Sequence, residues 1–125
     1  MALTTFRHGN PLMVDYTPSG GDVAAGDVVI IGSVATNNTA GVGGLACIAH
    51  ADIANNTKGA VAAGGGVYEC TNLNNAADGA QVYWDGTNKV TTVTNTKAKF
   101  GYIIADGGGG ANTSCYVLHD PKFSV

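Results

Sequence analysis

Gly79-Ala-Gln-Val-Tyr-Trp-Asp-Gly-Thr-Asn-Lys-Val-Thr-Thr-Val93 is the stretch that decides the fold class of this chain. Val82 and Trp84 alternate with Gln81 and Tyr83, the period of two expected of a strand with one buried face. Asp85-Gly86 follows, and both residues tolerate the positive φ that a tight hairpin turn demands. Val90 and Val93, among threonines, form the return strand. Val82 and Trp84 are therefore assigned to the core, and Asp85 and Gly86 to the turn. Trp84 reads first as a core anchor. The alternative is an aromatic contact at a subunit boundary.

The same rhythm extends in both directions. Leu12 to Tyr16 alternates Leu12, Val14 and Tyr16 against Met13 and Asp15, a half-buried strand. Val28-Val-Ile-Ile31 is a continuous branched run and reads as a strand covered on both faces. Further strands are expected at 44–49, 58–63, 67–71, 100–105 and 114–119. Asn, Gly and Asp clusters separate them, as at Asn37-Asn38, Asn55-Asn56, Gly64 to Gly66 and Asn72 to Asn75. Strands at roughly 10-residue spacing with turn signals between them indicate an all-β fold, a barrel or sandwich of short antiparallel strands. Residues 51–56 suggest a single helical turn, and Gly107 to Gly110 a flexible loop tip. No domain linker appears. The expected organisation is an irregular N-terminal arm at 1–11, one β-domain at 12–120 and a short tail at 121–125.

Composition narrows the function classes. The chain has 125 residues, 45% hydrophobic, enough to bury one core. Charged residues are only 12%, about half the usual share of roughly 25%. Neutral polar groups must cover the surface, which suits packing against other protein. Net charge is −3 and the six Lys and Arg are scattered, so a phosphate-binding face for nucleic acid is not expected. No apolar run approaches the roughly 20 residues that span a bilayer. Met1 to His8 lacks the apolar core of a signal peptide, so synthesis in a cytoplasm is expected. Three cysteines, Cys47, Cys70 and Cys115, are too few and odd in number for a disulfide framework, so buried reduced thiols are the default.

Candidate chemistry is sparse. Cys47 and His50, with Cys115 and His119, have the residue types of a zinc site. On strands, Cys47 and His50 point to opposite faces, and Cys115 and His119 stand about 13 Å apart. Neither pair chelates as a unit, so no metal is expected. Gly41-Val-Gly43-Gly-Leu-Ala46 matches a loose dinucleotide fingerprint, but no helix follows to hold a pyrophosphate. No Gly-x-Ser-x-Gly elbow is present. Most carboxylates sit beside Gly, Asn or Pro, as turn-making residues do. No cofactor and no catalytic residue is expected.

Four elements in order resemble a known family. Ala24-Ala-Gly-Asp-Val-Val-Ile-Ile-Gly32 resembles its early Gly-Asp-hydrophobic strand. Gly66-Val-Tyr-Glu-Cys70 resembles its Gly-Val-aromatic-Glu element. Gly79-Ala-Gln-Val-Tyr-Trp-Asp85 resembles its Gly-Asp-x-Val-Tyr-Trp-Asp element, with Ala80 where Asp is common. Phe100-Gly-Tyr-Ile-Ile-Ala105 and Ser114-Cys-Tyr-Val-Leu118 resemble its closing strands. The family is that of small capsid decoration (cement) proteins of tailed phages, and the resemblance covers about residues 12–120. It implies a non-enzymatic virion protein on the outer capsid surface. The implied state is a homotrimer at three-fold and local three-fold positions that binds the major capsid protein and reinforces the shell. Leu3, Phe6 and Arg7, in the arm, are the candidate capsid contacts. The alternatives are another virion β-module, such as a head-fibre or tail accessory domain, and less favoured a lectin-like protein.

Overall fold

The computed structural model describes residues 4–32, 44–85, 89–92 and 97–121, and among these there are ten strands and no helix. A six-stranded sheet runs in the order β1 (Thr5–Gly9), β6 (Gly66–Asn72), β10 (Thr113–His119), β9 (Ala98–Ala105), β7 (Gln81–Trp84) and β8 (Val90–Thr91). A parallel pairing of Asn72 with Val90 brings β8 back to β6. The last five of those strands thereby close into a barrel, which removes most of their open edges. β1 pairs with Gly66 to Glu69, lying on the same edge of β6 that meets β8 at Asn72.

A second sheet runs β2 (Met13–Tyr16), β5 (Gly59–Ala62), β4 (Leu45–Ala49) and β3 (Val28–Ile31), with antiparallel neighbours throughout. Its central strand explains the packing. Ala46 and Ile48 on β4 join the barrel core with Tyr68, Val82, Trp84 and Phe100. Cys47 and Ala49, one residue out of phase, join a second cluster with Ile53 and Val61. Both faces of β4 are covered, which is why Leu45-Ala-Cys-Ile-Ala49 carries no polar residue. β3 divides likewise, Val28 and Ile30 to one cluster, Val29 and Ile31 to the other.

The hairpin expected at 80–94 is present as β7 and β8. Val82 and Trp84 are buried in the barrel, and the Trp84 and Phe100 rings stand 5.4 Å apart. The turn differs in detail. Trp84 pairs with Val90, so Asp85 faces Lys89. Asp85 N–H donates to the Lys89 carbonyl at 2.9 Å, and its carboxylate accepts from Lys89 N–H at 3.0 Å. Asp85 thus closes the loop from its base rather than forming its tip. Gly86 lies outside the described residues, as does Val93.

Four further expectations are corrected. Thr5 to Gly9 form a strand rather than an irregular arm. All five are exposed, so no buried alternation marks them, and backbone pairing to β6 holds them extended. Residues 51–56 form no helical turn: Ile53 exchanges backbone hydrogen bonds with Val23 at 2.8 and 2.9 Å, and β-branched Ile53 suits that bridge. Leu12 is 68% exposed because the strand begins after it, at Met13. The 107–110 glycines are no free tip. Gly107 N–H donates to the Asp78 carboxylate at 2.7 Å and Gly108 N–H to the Ala76 carbonyl at 2.8 Å. A Cβ on Gly107 would meet backbone atoms of Ala76 to Asp78 at 2.6–2.8 Å, so glycine permits the close approach.

Candidate assembly surface

The candidate contacts of the arm are held against the barrel. The Phe6 ring lies 4.7 Å from that of His50 and 5.4 Å from that of Tyr68, and stays 40% exposed. The Arg7 guanidinium sits 3.8 Å from the Glu69 carboxylate and 5.8 Å from the Tyr116 ring centre. Both partners of that ion pair are partly solvated, so it adds little stability but directs the side chain. Leu3 lies outside the described residues. Phe6 and Arg7 are therefore brought to one edge strand, whereas Val82 and Trp84 are interior and unavailable for contact.

Further exposed apolar residues lie on the outside of the barrel, in a row whose other members are polar (Gln81, His8) or buried (Val67). Register pairs Gln81 with Tyr102, Tyr102 with Leu118, Leu118 with Val67, and Val67 with His8. These five residues form one row across β7, β9, β10, β6 and β1. Tyr102 and Leu118 are 36% and 39% exposed, and Ile104, on the same outer face of β9, is 47% exposed. Single exposed apolar residues are ordinary, but adjacent ones on a rigid sheet suggest a contact surface. The sequence reading missed them. The available signal was Tyr102-Ile103-Ile104, since a barrel strand turns alternate residues outward and a triple apolar run must expose at least one.

The buried titrating groups serve packing. His119 is fully buried and its Nε2–H donates to the Ala46 carbonyl at 2.7 Å, tying the barrel to β4. Its buried Nδ1 has no partner among the described residues. Burial, partly offset by the Ala46 bond and by Asp120, pulls its pKa down from 6.5 to about 4. His50 Nε2 and the Tyr68 hydroxyl share a hydrogen bond of 2.6 Å. Burial lowers the His50 pKa, and burial, then Cys70, raises that of Tyr68. All three cysteines are free and buried. Burial pushes the Cys47 and Cys115 thiols up to about 11, so neither is poised as a thiolate nucleophile.

The carboxylates near turns are spent on backbone. Asp27 accepts from Ala24 N–H, Asp52 from Ala25 N–H and Asp22 from Asn55 N–H, at 2.8–3.0 Å. Among the described residues no three His, Cys, Asp or Glu are grouped to hold a metal ion. Cys47 faces the second cluster while Cys115 lies in the barrel core, so the two thiols do not converge, although His50 and His119 both pack against the Tyr68 ring.

No curated protein and no solved structure matches the chain. The family model described as phage cement protein matches residues 7–118, from the edge strand β1 almost to the end of β10. The chain belongs to the phage cement protein family.

Proposed function

We propose that this protein decorates the outer surface of an assembled phage head, as homotrimers at three-fold and local three-fold positions, and stabilises the shell. Family membership carries the reading, because it supplies a structural, capsid-associated role and a place in the virion. The fold supports it. A closed barrel braced by a second sheet is a rigid body, and 12% charged residues leave few hydration shells to strip on docking. The proposed partner is the major capsid protein. The proposed contacts are Phe6, Arg7 and Leu3 of the N-terminal segment, with the outer row through Tyr102 and Leu118.

Stabilisation follows from linkage. A protein that binds the mature lattice and not its precursor favours the mature form by mass action, summed over many copies. Mixing purified protein with expanded, undecorated heads tests this. Stoichiometric co-sedimentation, with a raised temperature of head disruption, is expected. Absence of binding to heads, with binding to tails or to glycan resin instead, would replace the reading.

A further inference from the structure

Two of the three thiols stand opposite each other. Cys115 on β10 and Cys70 on β6 are register partners in an antiparallel pair. Both side chains enter the barrel core, at 4% exposure for Cys70 and 0% for Cys115. Cys115 is also close enough to contribute to the raised pKa of Cys70, after the larger effect of burial. Opposed residues in antiparallel strands have Cα atoms about 4.5–5.5 Å apart in either class of pair. Disulfides span Cα separations of roughly 4.4–6.8 Å. Opposed Cβ atoms lie about 4.5–5.5 Å apart, and a disulfide draws them to roughly 3.5–4.5 Å. Closure therefore needs about 1 Å of approach between two neighbouring strands. Cys47 is on β4 and faces the other cluster, so it has no such opposite number.

We propose that Cys70 and Cys115 are a latent structural disulfide, closed by exchange with a low-molecular-weight disulfide such as oxidised glutathione. One protein thiolate attacks a sulfur of the small disulfide, forming a mixed disulfide and expelling one small thiolate. The second protein thiolate attacks the protein sulfur of that intermediate and expels the other. The two protein thiols lose two electrons and two protons. The small disulfide gains both, leaving as two thiols. Burial holds both cysteines protonated and covered, so exchange proceeds when β6 and β10 separate locally or before they pair. The protein then remains reduced as it is made and gains the bond in oxidising surroundings. The staple joins barrel neighbours and closes the loop of residues 70–115, restricting the unfolded chain. Its use in a released particle rests on the proposed decoration role; its chemistry does not.

The test is made on the purified full chain, without heads, so its outcome is separate from that of the binding assay. The protein is unfolded, refolded in a glutathione redox buffer, alkylated and mapped by non-reducing peptide mass spectrometry. The expected product links Cys70 to Cys115, lacks two hydrogens and leaves Cys47 alkylated. Its Tm should exceed that of the reduced protein by about 5 °C or more, and a reductant should reverse the gain. Cys47→Ala should keep the bond and the gain, and Cys115→Ala should lose both. The proposal is overturned if all three cysteines are alkylated, if Cys47 enters the main cross-link, or if the bond fails to raise Tm. Mapping of the unsubstituted chain decides the matter even where a variant fails to fold.

Discussion

Gly101 on β9 is paired with His119 on β10. A Cβ there would overlap the Leu118 carbonyl oxygen and stand 2.9 Å from its carbon and 3.1 Å from Asp120 N. These are backbone atoms, so no rotamer change relieves the clash. Gly101→Ala should destabilise by roughly 2–3 kcal/mol, typical of overpacking, and lower the urea midpoint. An unchanged midpoint would mean that the strands separate freely. His119 makes a second prediction. Its folded pKa is depressed to about 4 from 6.5. Above pH 6.5 neither state binds the proton, and the buried imidazole contributes its full share of stability. As pH falls from about 6.5 to 4, the unfolded chain binds the proton and the folded chain does not, so stability falls. At about 1.4 kcal/mol per pH unit, the full loss is on the order of 3 kcal/mol. His119→Gln keeps an N–H for Ala46 and should flatten most of that slope in urea titrations at several pH values. His50, whose pKa is also lowered, accounts for a smaller residue in the same direction. A slope unchanged in the variant would assign the titration elsewhere.

At the scale of elements, β1 changes what the N-terminal segment is expected to do. The sequence suggests an irregular arm that carries the candidate capsid contacts. In the structure Thr5 to Gly9 already pair with β6, and Phe6 lies over His50 and Tyr68. Burying part of the Phe6 ring contributes roughly 1–2 kcal/mol, and the strand also shields a polar edge. Deleting residues 1–10 should leave the far-UV circular dichroism of a β-protein but lower Tm by about 5 °C or more. It should also raise self-association, because the β6 edge becomes available. Occupancy on expanded heads should fall if Phe6 and Arg7 are contacts. An unchanged Tm would show that β1 contributes nothing to the barrel. Strand positions were legible because period-two patterns and Asn/Gly turns act locally: Val82 and Trp84 do share the core face, although Tyr83 between them, expected on an open face, is covered as well at 7% exposure. β1 was less legible because all five of its residues stay exposed, and the partners of Phe6 and Arg7, at His50, Tyr68 and Glu69, lie far along the chain.

The whole molecule is a barrel with a sheet packed against it, and the proposed assembly surface is its outer row together with the neighbouring Ile104. Ile104 and Leu118 are exposed at 47% and 39%, so charges there cost the fold little. Ile104→Glu and Leu118→Glu should leave Tm nearly unchanged, within the roughly 0.5 kcal/mol of ordinary surface substitutions. Each should reduce head occupancy at least tenfold, since a charge buried at an interface without a partner costs more than the roughly 1.4 kcal/mol that tenfold represents. Sedimentation of the free protein separates two causes. Loss of trimers would place the row between subunits, and trimers that no longer bind heads would place it on the capsid side. Full occupancy with both variants would remove the row from the proposed contacts.

Much about this protein is settled by the sequence alone. The all-β class, nearly every strand between Met13 and His119, and the inward direction of Val82 and Trp84 follow from alternation and turn chemistry. Those signals act over a few residues, so they survive without knowledge of the fold. The closure of β8 onto β6, the docking of Gly107 on Ala76 to Asp78, the opposition of Cys70 and Cys115, and the exposure of Tyr102, Ile104 and Leu118 came only with the tertiary structure. Each joins residues far apart in the chain or depends on which side of a curved sheet faces outward. Register and curvature set those relations, because a shift of one residue turns every side chain of a strand to the opposite face.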